Sequence, residues 1–271
     1  MVHRLYTPPA PLRRLVKCLW YWEGAPQTHA KEQLMPNGEA AIIFNLRDEP
    51  MRIYEPRDLL QSKTFGFAVL SGPRSRPFVI DTAQEDRVFG IEFQPGGSFP
   101  FFRVPTSEFS DSEVSLECLW RSSVNEIRER LLGAPDLDSM FSAAESILIR
   151  LAVRPFELHP GVAFALHHFC SRPQTTVSSV RDRLGLSHRR FIQLFENQVG
   201  LTPKSFSRVQ RFQRVLHKVH GAPSIDWAGV ALDCGYYDQA HFIHDFQEFS
   251  GFTPTVYAAR VTEHLNHVPL I

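Results

Sequence analysis

A predicted amphipathic helix over residues 188–199 carries outward side chains that can form paired hydrogen bonds to an external partner. A helical wheel places Phe191 and Phe195 on its inward side. Arg189 and Gln193 therefore point outward. Arginine can form two hydrogen bonds to guanine, and glutamine can form two to adenine, in the major groove of DNA. The pattern predicts a helix that reads base pairs, and the alternative is a charged helix face that contacts only water.

The predicted DNA-binding surface extends beyond these two side chains. On the same helix its flanking polar residues are His188, Arg190 and Asn197. The next predicted helix covers roughly residues 204 to 219. There, Arg208 and Arg211 are predicted to contact phosphates, with solvated surface charge as an equal alternative.

The distribution of charge supports a phosphate-binding surface, although the 29 basic and 29 acidic residues of the whole chain cancel. Residues 160–221 hold 10 basic and 2 acidic residues, whereas residues 222–271 hold 1 and 6. Residues 1–159 are also slightly acidic, with 18 and 21. A strongly basic segment of this length is typical of a protein that binds a nucleic acid.

The cysteines and histidines of the sequence are not spaced as in a catalytic or metal-binding site. The cysteines, Cys18, Cys118, Cys170 and Cys234, are too far apart for a Cys-x-x-Cys pair and are expected to be reduced, mostly buried thiols. Only two histidines precede residue 159, too few for a three-histidine metal site in the N-terminal part. We therefore expect no catalytic residues, no metal site and no cofactor.

The C-terminal part contains an internal duplication. The segment GLSHRRFIQLFENQVGLTP (185–203) matches GYYDQAHFIHDFQEFSGFTP (235–254), with one extra residue in the second turn. Thr176 and Asp226 are suitable N-caps for the helix before each turn, and Ser187 and Asp238 for the helix after it. The repeat predicts two helix-turn-helix units joined by one long helix.

These motifs resemble the AraC/XylS family of bacterial transcription regulators over about residues 160–260. The residues that carry the resemblance are Gly185-Leu186-Ser187, Phe191, Phe195, Gly200, Thr202-Pro203, Gly235 to Phe242, Phe246, Gly251, Thr253-Pro254 and Tyr257. The resemblance implies two helix-turn-helix units that insert their second helices into successive major-groove segments. It also implies base contacts by Arg189 and Gln193.

For the second unit, over residues 238–250, the resemblance implies DNA contact through Gln239, His241 and His244. Acidic residues surround this helix, and a histidine stands where a basic residue is usual in the family. We therefore expect the second unit to read DNA more weakly than the first. The acidic surface also suits a protein partner, and RNA polymerase is the expected one.

The N-terminal part is predicted to form an antiparallel β-barrel or sandwich. Short strand-like runs separated by turn residues lie between about residues 17 and 93. Two helices follow, around Val124–Leu131 and Phe141–Leu151. The fold class is thus α+β with a C-terminal all-α domain, and we expect domains over residues 1–156 and 157–265.

The N-terminal runs MPNGEAAIIFNL, SGP and GIEFQPGG resemble, more weakly, the sensor domain of one subgroup of the same family. This resemblance implies effector sensing or dimerisation, and the predicted helix pair is the expected homodimer contact. Trp20, Trp22, Phe44 and Phe93 are interpreted as core, with a ligand pocket as the alternative. The effector-binding residues cannot be chosen from the sequence.

Other classes of protein remain as alternatives. The duplicated helices could serve as a protein-interaction module, and an enzyme could occupy the N-terminal barrel. Membrane insertion is not expected because no run approaches about 18 apolar residues. The start MVHRLYTPPAPLRR lacks the apolar core of a signal peptide, so we expect a cytoplasmic protein.

Overall fold

The first half of the chain forms two antiparallel sheets in the computed structural model, which describes residues 2–25, 29–47, 49–82 and 86–270. The first sheet has the order β1 (Val2–Tyr6), β2 (Val16–Glu23), β9 (Arg87–Phe93), β4 (Ala41–Asn45), β7 (Ala68–Ser71) and β10 (Glu113–Ser115). The second has the order β11 (His267–Leu270), β3 (Lys31–Leu34), β8 (Phe78–Asp81), β5 (Met51–Glu55) and β6 (Asp58–Phe65).

Strand periodicity gives the first sheet two different apolar faces. In β2, Leu19 and Tyr21 belong to the main core, whereas Trp20 between them lines a cavity facing the second sheet. In β4, Ile42 faces the core and Ile43 faces the cavity in the same way. Both alternations follow from side chains that point to opposite faces along a strand.

Helices cover the core face of this sheet. They are α1 (Leu116–Trp120), α2 (Ser123–Leu132) and α3 (Leu137–Leu151). Asp136 begins α3 by accepting a hydrogen bond from the Ser139 N–H at 2.7 Å. Phe141 then stacks on Tyr6, with ring centroids 5.0 Å apart. The packing of α2 and α3 on the strands completes the N-terminal core.

The second half is helical, apart from β11. Its helices are α4 (Pro160–Ser171), α5 (Val177–Leu184), α6 (His188–Val199), α7 (Pro203–Val219), α8 (Trp227–Asp233), α9 (Gln239–Ser250) and α10 (Pro254–Arg260). We call α5 and α6 the first unit, and α8 and α9 the second unit. Phe191 and Phe195 pack with Phe206 in one core cluster, and Phe242 and Phe246 pack with Phe212 in another.

The predicted fold class is confirmed, with a sheet domain followed by paired helix-turn-helix units on a long central helix. The sheets are not closed into a barrel, so the sandwich is the correct form of the prediction. The strand β11 lies beyond residue 265, where the predicted helical domain ends. It pairs with β3 and so brings the C-terminal segment into the N-terminal sheet.

The expectation that the cysteines are mostly buried was wrong. Cys234 is buried and Cys18 half-buried, but Cys118 and Cys170 are exposed. The isolated cysteines of the sequence gave no periodic pattern from which their exposure could be read. All four are free thiols.

Candidate nucleic-acid interface

The first unit is shaped by side-chain caps and a left-handed glycine. Thr176 accepts a hydrogen bond from the Ser179 N–H at the start of α5, and Ser187 accepts one from the Arg190 N–H at the start of α6. Gly185 ends α5 with a φ of 63°, which favours glycine because it has no Cβ. These local contacts set the direction in which α6 leaves the turn.

The outward face of α6 is polar and exposed, while Phe191 and Phe195 on its inward face are fully buried. Among the described residues, the polar side chains of this outward face have no hydrogen-bond or ion-pair partner. Asn197 is half-buried. The exposed residues are His188, Arg189, Arg190 and Gln193. Their donors and acceptors are therefore available to an external partner.

The second unit repeats this construction closely. Asp226 begins α8 by accepting from the Ala228 N–H, and Asp238 begins α9 by accepting from the His241 N–H at 2.7 Å. Gly235 has a φ of 84° in the turn. The two units thus share one backbone design, as the internal duplication predicts.

The polar face of α9 differs from that of α6. Gln239 and His244 are exposed, and the side chain of His241 is 38% exposed. The His241 ring lies against Tyr236, with centroids 5.3 Å apart. This face carries amide and imidazole groups and no arginine.

Three acidic residues of the second unit form ion pairs with the central helix. Asp245 is buried and pairs with Arg208 of α7 at 2.7 Å, and Glu248 pairs with the same guanidinium at 2.5 Å. Lys218 pairs with Asp233. Two basic side chains thus face three acidic ones, and the weaker DNA reading expected of the second unit stays a prediction.

The arginines of α7 hold the helical domain together. Besides its pairs with α9, Arg208 lies over the Phe249 ring at 5.0 Å. Arg211 donates to the Gly235 carbonyl at 3.4 Å, and Arg214 donates to the Phe169 carbonyl of α4 at 3.0 Å. Arg208 and Arg211 therefore already have protein partners, with which a phosphate would compete. Their predicted phosphate contacts stay a prediction.

One group of side chains has the types and spacing of metal ligands. The ligand atoms of His244, Asp245 and Glu248 lie within 4.8 Å of one another. Arg208 already occupies the carboxylates with its positive charge. A second cation at this point would therefore meet a bound guanidinium.

Both helix-turn-helix units are attached to the N-terminal domain. The Thr106 hydroxyl donates to the Gln198 carbonyl at 3.1 Å, and the Ser110 hydroxyl donates to the Gly200 carbonyl at 2.6 Å, which together anchor the C-terminal end of α6. Gln33 of β3 donates to the carbonyl of Ser250, the last residue of α9, at 2.5 Å, which attaches the second unit. These contacts leave the N-terminal end of α6 exposed.

The three N-terminal motifs lie at this domain interface. Gly38 of MPNG has a φ of 75°, and a Cβ there would come within 3.2 Å of the Phe206 ring on α7. Pro73 of SGP lies beside Gly200, and Gly96 of GIEFQPGG lies beside Leu158. The motifs therefore position the sheet domain against the helical domain.

A cavity of about 210 Å³ lies between the two sheets. It is lined mainly by apolar side chains, including Ile43, Val69, Phe78 and Val88. Of the aromatic residues singled out in the sequence, Trp20 lines it, whereas Phe44 and Phe93 are buried in the main core. The core interpretation therefore holds for Phe44 and Phe93, while use of the cavity beside Trp20 as a ligand pocket stays a prediction.

Sequence reasoning missed one exposed aromatic in the second turn. Tyr237 is 88% exposed, immediately before the N-cap Asp238. The signal that could have selected it is a large aromatic residue directly before a helix start and outside the apolar periodic pattern.

The helices of the described residues are too short or too polar to span a bilayer.

Comparison with protein families identifies two regions of the chain. Residues 181–260 match a family described as a helix-turn-helix domain. Residues 4–115 match a family described as a domain of unknown function. The chain has no significant sequence match among curated proteins.

Solved structures give more distant similarities. ToxT from Vibrio cholerae is 9% identical with a TM-score of 0.47, over 89% of this chain and 96% of that one. ToxT bound to (E)-4-(8-methylnaphthalen-1-yl)but-3-enoic acid is 8% identical with a TM-score of 0.48, over 96% and 99%. The C-terminal domain of AraT, a response regulator from Geobacillus stearothermophilus, is 19% identical with a TM-score of 0.37, over 40% and 93%.

Proposed function

We propose that this chain, whose residues 181–260 match a helix-turn-helix domain family, is a sequence-specific DNA-binding transcription regulator of the AraC type that reads bases mainly through α6. The proposal is carried by the exposed pair Arg189 and Gln193, whose side chains have no partner among the described residues, on a helix whose opposite face is buried. Guanidinium and amide groups in this state can form the paired hydrogen bonds that distinguish one base pair from another.

The surrounding residues take roles in the same proposal. His188, Arg190 and Asn197 flank the base-reading side chains and position α6 on the DNA. The second unit contacts an adjacent groove through Gln239, His241 and His244, with fewer charge-assisted bonds than the first. Its remaining exposed surface is available to RNA polymerase.

The N-terminal domain is proposed to sense a small-molecule effector. The cavity between the sheets supports this role, because binding sites are concave, mostly apolar and carry a few polar groups. The same domain is attached to both helix-turn-helix units, so a change in it can reach the DNA-binding surface.

The test is selection of binding sites from random duplexes, followed by affinity measurements over a range of salt concentrations. Arg189→Ala is expected to weaken specific binding by about 1–3 kcal/mol and to relax the preference at one base pair. Arg14→Ala removes an exposed arginine of the N-terminal domain and is the control. Recovery of no preferred sequence, or equal effects of the two variants, would contradict the proposal.

A further inference from the structure

A cleft of about 520 Å³ lies between the end of α4 and α5, and its volume is in the range of small-molecule sites. Its lining residues come from α4, from α5 and from the loop between them. The surrounding residues 160–221 hold 10 basic and 2 acidic residues. None of the described residues that line the cleft is acidic. An anion that enters the cleft therefore meets no carboxylate from its lining.

Two arginines of the lining have no partner within the protein. Arg172 follows the last residue of α4, and Arg183 lies on α5. Both are exposed, and among the described residues neither guanidinium has a hydrogen-bond or ion-pair partner. By contrast, the neighbouring Arg181 pairs with Asp182 at 2.5 Å, and Arg214 donates to the α4 backbone. The donors of Arg172 and Arg183 are therefore available to a ligand.

His168 of α4 adds a buried polar group to the same cleft. It is only 9% exposed, and its ring centroid lies 4.2 Å from that of Phe164, which also lines the cleft. Within the described part of the chain its ring nitrogens have no hydrogen-bond partner. Burial lowers its pKa, and the neighbouring Arg172, Arg183 and His167 lower it further. Buried polar groups are usually hydrogen-bonded, so an unpartnered imidazole in a basic cleft indicates a missing anionic acceptor.

The loop between α4 and α5 is held in place by its own hydrogen bonds. The Arg172 N–H donates to the His168 carbonyl at 3.0 Å, and the Thr175 N–H donates to the Arg172 carbonyl at 3.2 Å. The hydroxyls of Ser171 and Ser179 donate to nearby backbone carbonyls at 2.6 and 2.9 Å. These hydroxyl protons are therefore engaged, and the charged donors that remain for a ligand are the two guanidinium groups.

The chemistry of the lining favours a phosphate group. A phosphate ester carries a charge of about −1.5 to −2 at pH 7 and three acceptor oxygens. A carboxylate has a single charge and two oxygens, whereas the cleft offers two guanidinium groups and one imidazole. Guanidinium groups form paired, charge-assisted hydrogen bonds with phosphate. The apolar side chains of Phe164 and Val180 suit the organic part of a phosphate ester.

We propose that the cleft between α4 and α5 is a phosphate-binding site, with Arg172 and Arg183 as its charged donors and His168 as its buried donor. The phosphate comes from a small phosphorylated molecule or from the DNA backbone beside the segment that α6 reads. The DNA source rests on the proposed function of the chain, whereas the small-molecule source does not. In both cases the site is separate from the base-reading residues of α6.

The first experiment measures binding to the free protein by calorimetry, with phenyl phosphate as the probe and benzoate as the singly charged control. Phenyl phosphate is expected to bind at least ~10-fold more tightly, because it offers more charge and one more acceptor oxygen. Arg172→Ala and Arg183→Ala are each expected to weaken its binding by about 10-fold. Arg14→Ala removes the same charge from an exposed position of the N-terminal domain and is the matched control.

The second experiment follows the His168 ring by NMR during pH titration, with His168→Gln to assign its signal. Bound phenyl phosphate is expected to raise the pKa of His168, because an adjacent negative charge favours the protonated ring. Arg14→Ala is expected to leave this rise unchanged. A His168 that only packs against Phe164 would keep the same pKa with and without the probe, which would remove it from the site.

The third experiment distinguishes the two sources of phosphate. If the DNA backbone fills the cleft, a selected duplex is expected to displace phenyl phosphate. Arg172→Ala and Arg183→Ala would then each lower the salt slope of DNA binding by about one, and Arg14→Ala would not. If a small molecule fills the cleft, phenyl phosphate is expected to bind the free protein and the DNA complex equally, and the salt slope is unchanged.

The proposal is overturned if phenyl phosphate binding is absent, or is equally affected by all three arginine variants, while the salt slope of DNA binding stays the same in each. Specific DNA binding together with that result would remove only the phosphate site. Phosphate binding without any specific DNA binding would remove only the proposed regulator.

Discussion

The two helix-turn-helix units share a backbone design but use their charged residues differently. In the first unit, Arg189 and Arg190 are exposed and their side chains are unpartnered among the described residues. In the second, Asp245 and Glu248 pair with Arg208 of the central helix. The first unit therefore presents its charge to an external partner, whereas the second uses its charge to hold α9 on α7.

This difference shows why net charge alone misjudges a surface. Residues 222–271 carry 1 basic and 6 acidic residues, yet the buried Asp245 and the capping Asp238 have partners within the protein. The weaker reading expected of the second unit therefore rests on its lack of arginine as well as on acids that Arg208 and Lys218 neutralise only in part. Gln239 and His244 remain exposed for neutral hydrogen bonds.

The largest expected effect tests the shared scaffold. Phe195 and Phe246 occupy equivalent positions in the two units, and both are fully buried. Phe195→Ala and Phe246→Ala are each expected to lower the free energy of unfolding by about 3–5 kcal/mol through loss of packing. Chemical denaturation measures both values. A large cost in one unit with almost none in the other would contradict a shared scaffold.

The next effect tests the structural role of Arg208. Arg208→Ala leaves Asp245 buried without its ion-pair partner, and we expect a loss of about 2–3 kcal/mol, reduced from the full cost of a buried pair because Arg208 is partly exposed. Thermal and denaturant unfolding measure the loss. Arg189→Ala is the control and is expected to leave stability within about 0.5 kcal/mol. Equal stability of the two variants would contradict a stabilising role for the ion pair between Arg208 and Asp245.

A third prediction concerns the proposed homodimer contact on α2 and α3. Ile149 of α3 is 50% exposed and Leu132 of α2 is 36% exposed, although both are apolar. If these helices form the contact, Ile149→Asp shifts the mass measured by light scattering toward the monomer, because it buries a charge in the interface. The exposed Glu129→Ala of α2 is the control. A monomeric parent or an unchanged mass would remove this interface.

The smallest expected effect is a pH dependence of the C-terminal segment. Partial burial and the neighbouring His267 and His3 lower the pKa of His264, against the opposing charges of Glu32 and Glu263. The folded state therefore resists protonation of this ring, so stability is full above about pH 6.5 and decreases as pH falls below it. Hydrogen exchange of the β11 amides at pH 7.5 and 5.5 measures the effect. His264→Gln should reduce it, and an unchanged pH response in that variant would assign it to other groups.

The helical half could be predicted well because helix caps and turns depend on residues that are close together in the sequence. The caps Thr176 and Asp238 and the turn glycine Gly185 each act within a few residues, and the structure has them as expected. The runs that became β2 and β9 were also recognisable from their β-branched and aromatic residues. Local preference and periodicity are sufficient for such elements.

Long-range pairings could not be read in the same way. The strand β11 is defined by its pairing with β3, more than 230 residues earlier, and HVPL has no alternating pattern of its own. The ion pair between Arg208 and Asp245 likewise depends on how α7 packs on α9. The exposed positions of α6 followed from periodicity, whereas the partners of the α7 arginines required the tertiary structure.

The most direct test of the account compares the two half-sites of a selected DNA sequence. Binding is measured to the intact site, to a site with the first unit's half scrambled, and to one with the second unit's half scrambled. We expect that scrambling the half-site of α6 costs more affinity than scrambling the half-site of α9, and that Arg189→Ala abolishes most of that difference. A larger loss on scrambling the half-site of α9, or equal losses for both, would contradict the claim that the first unit reads the DNA.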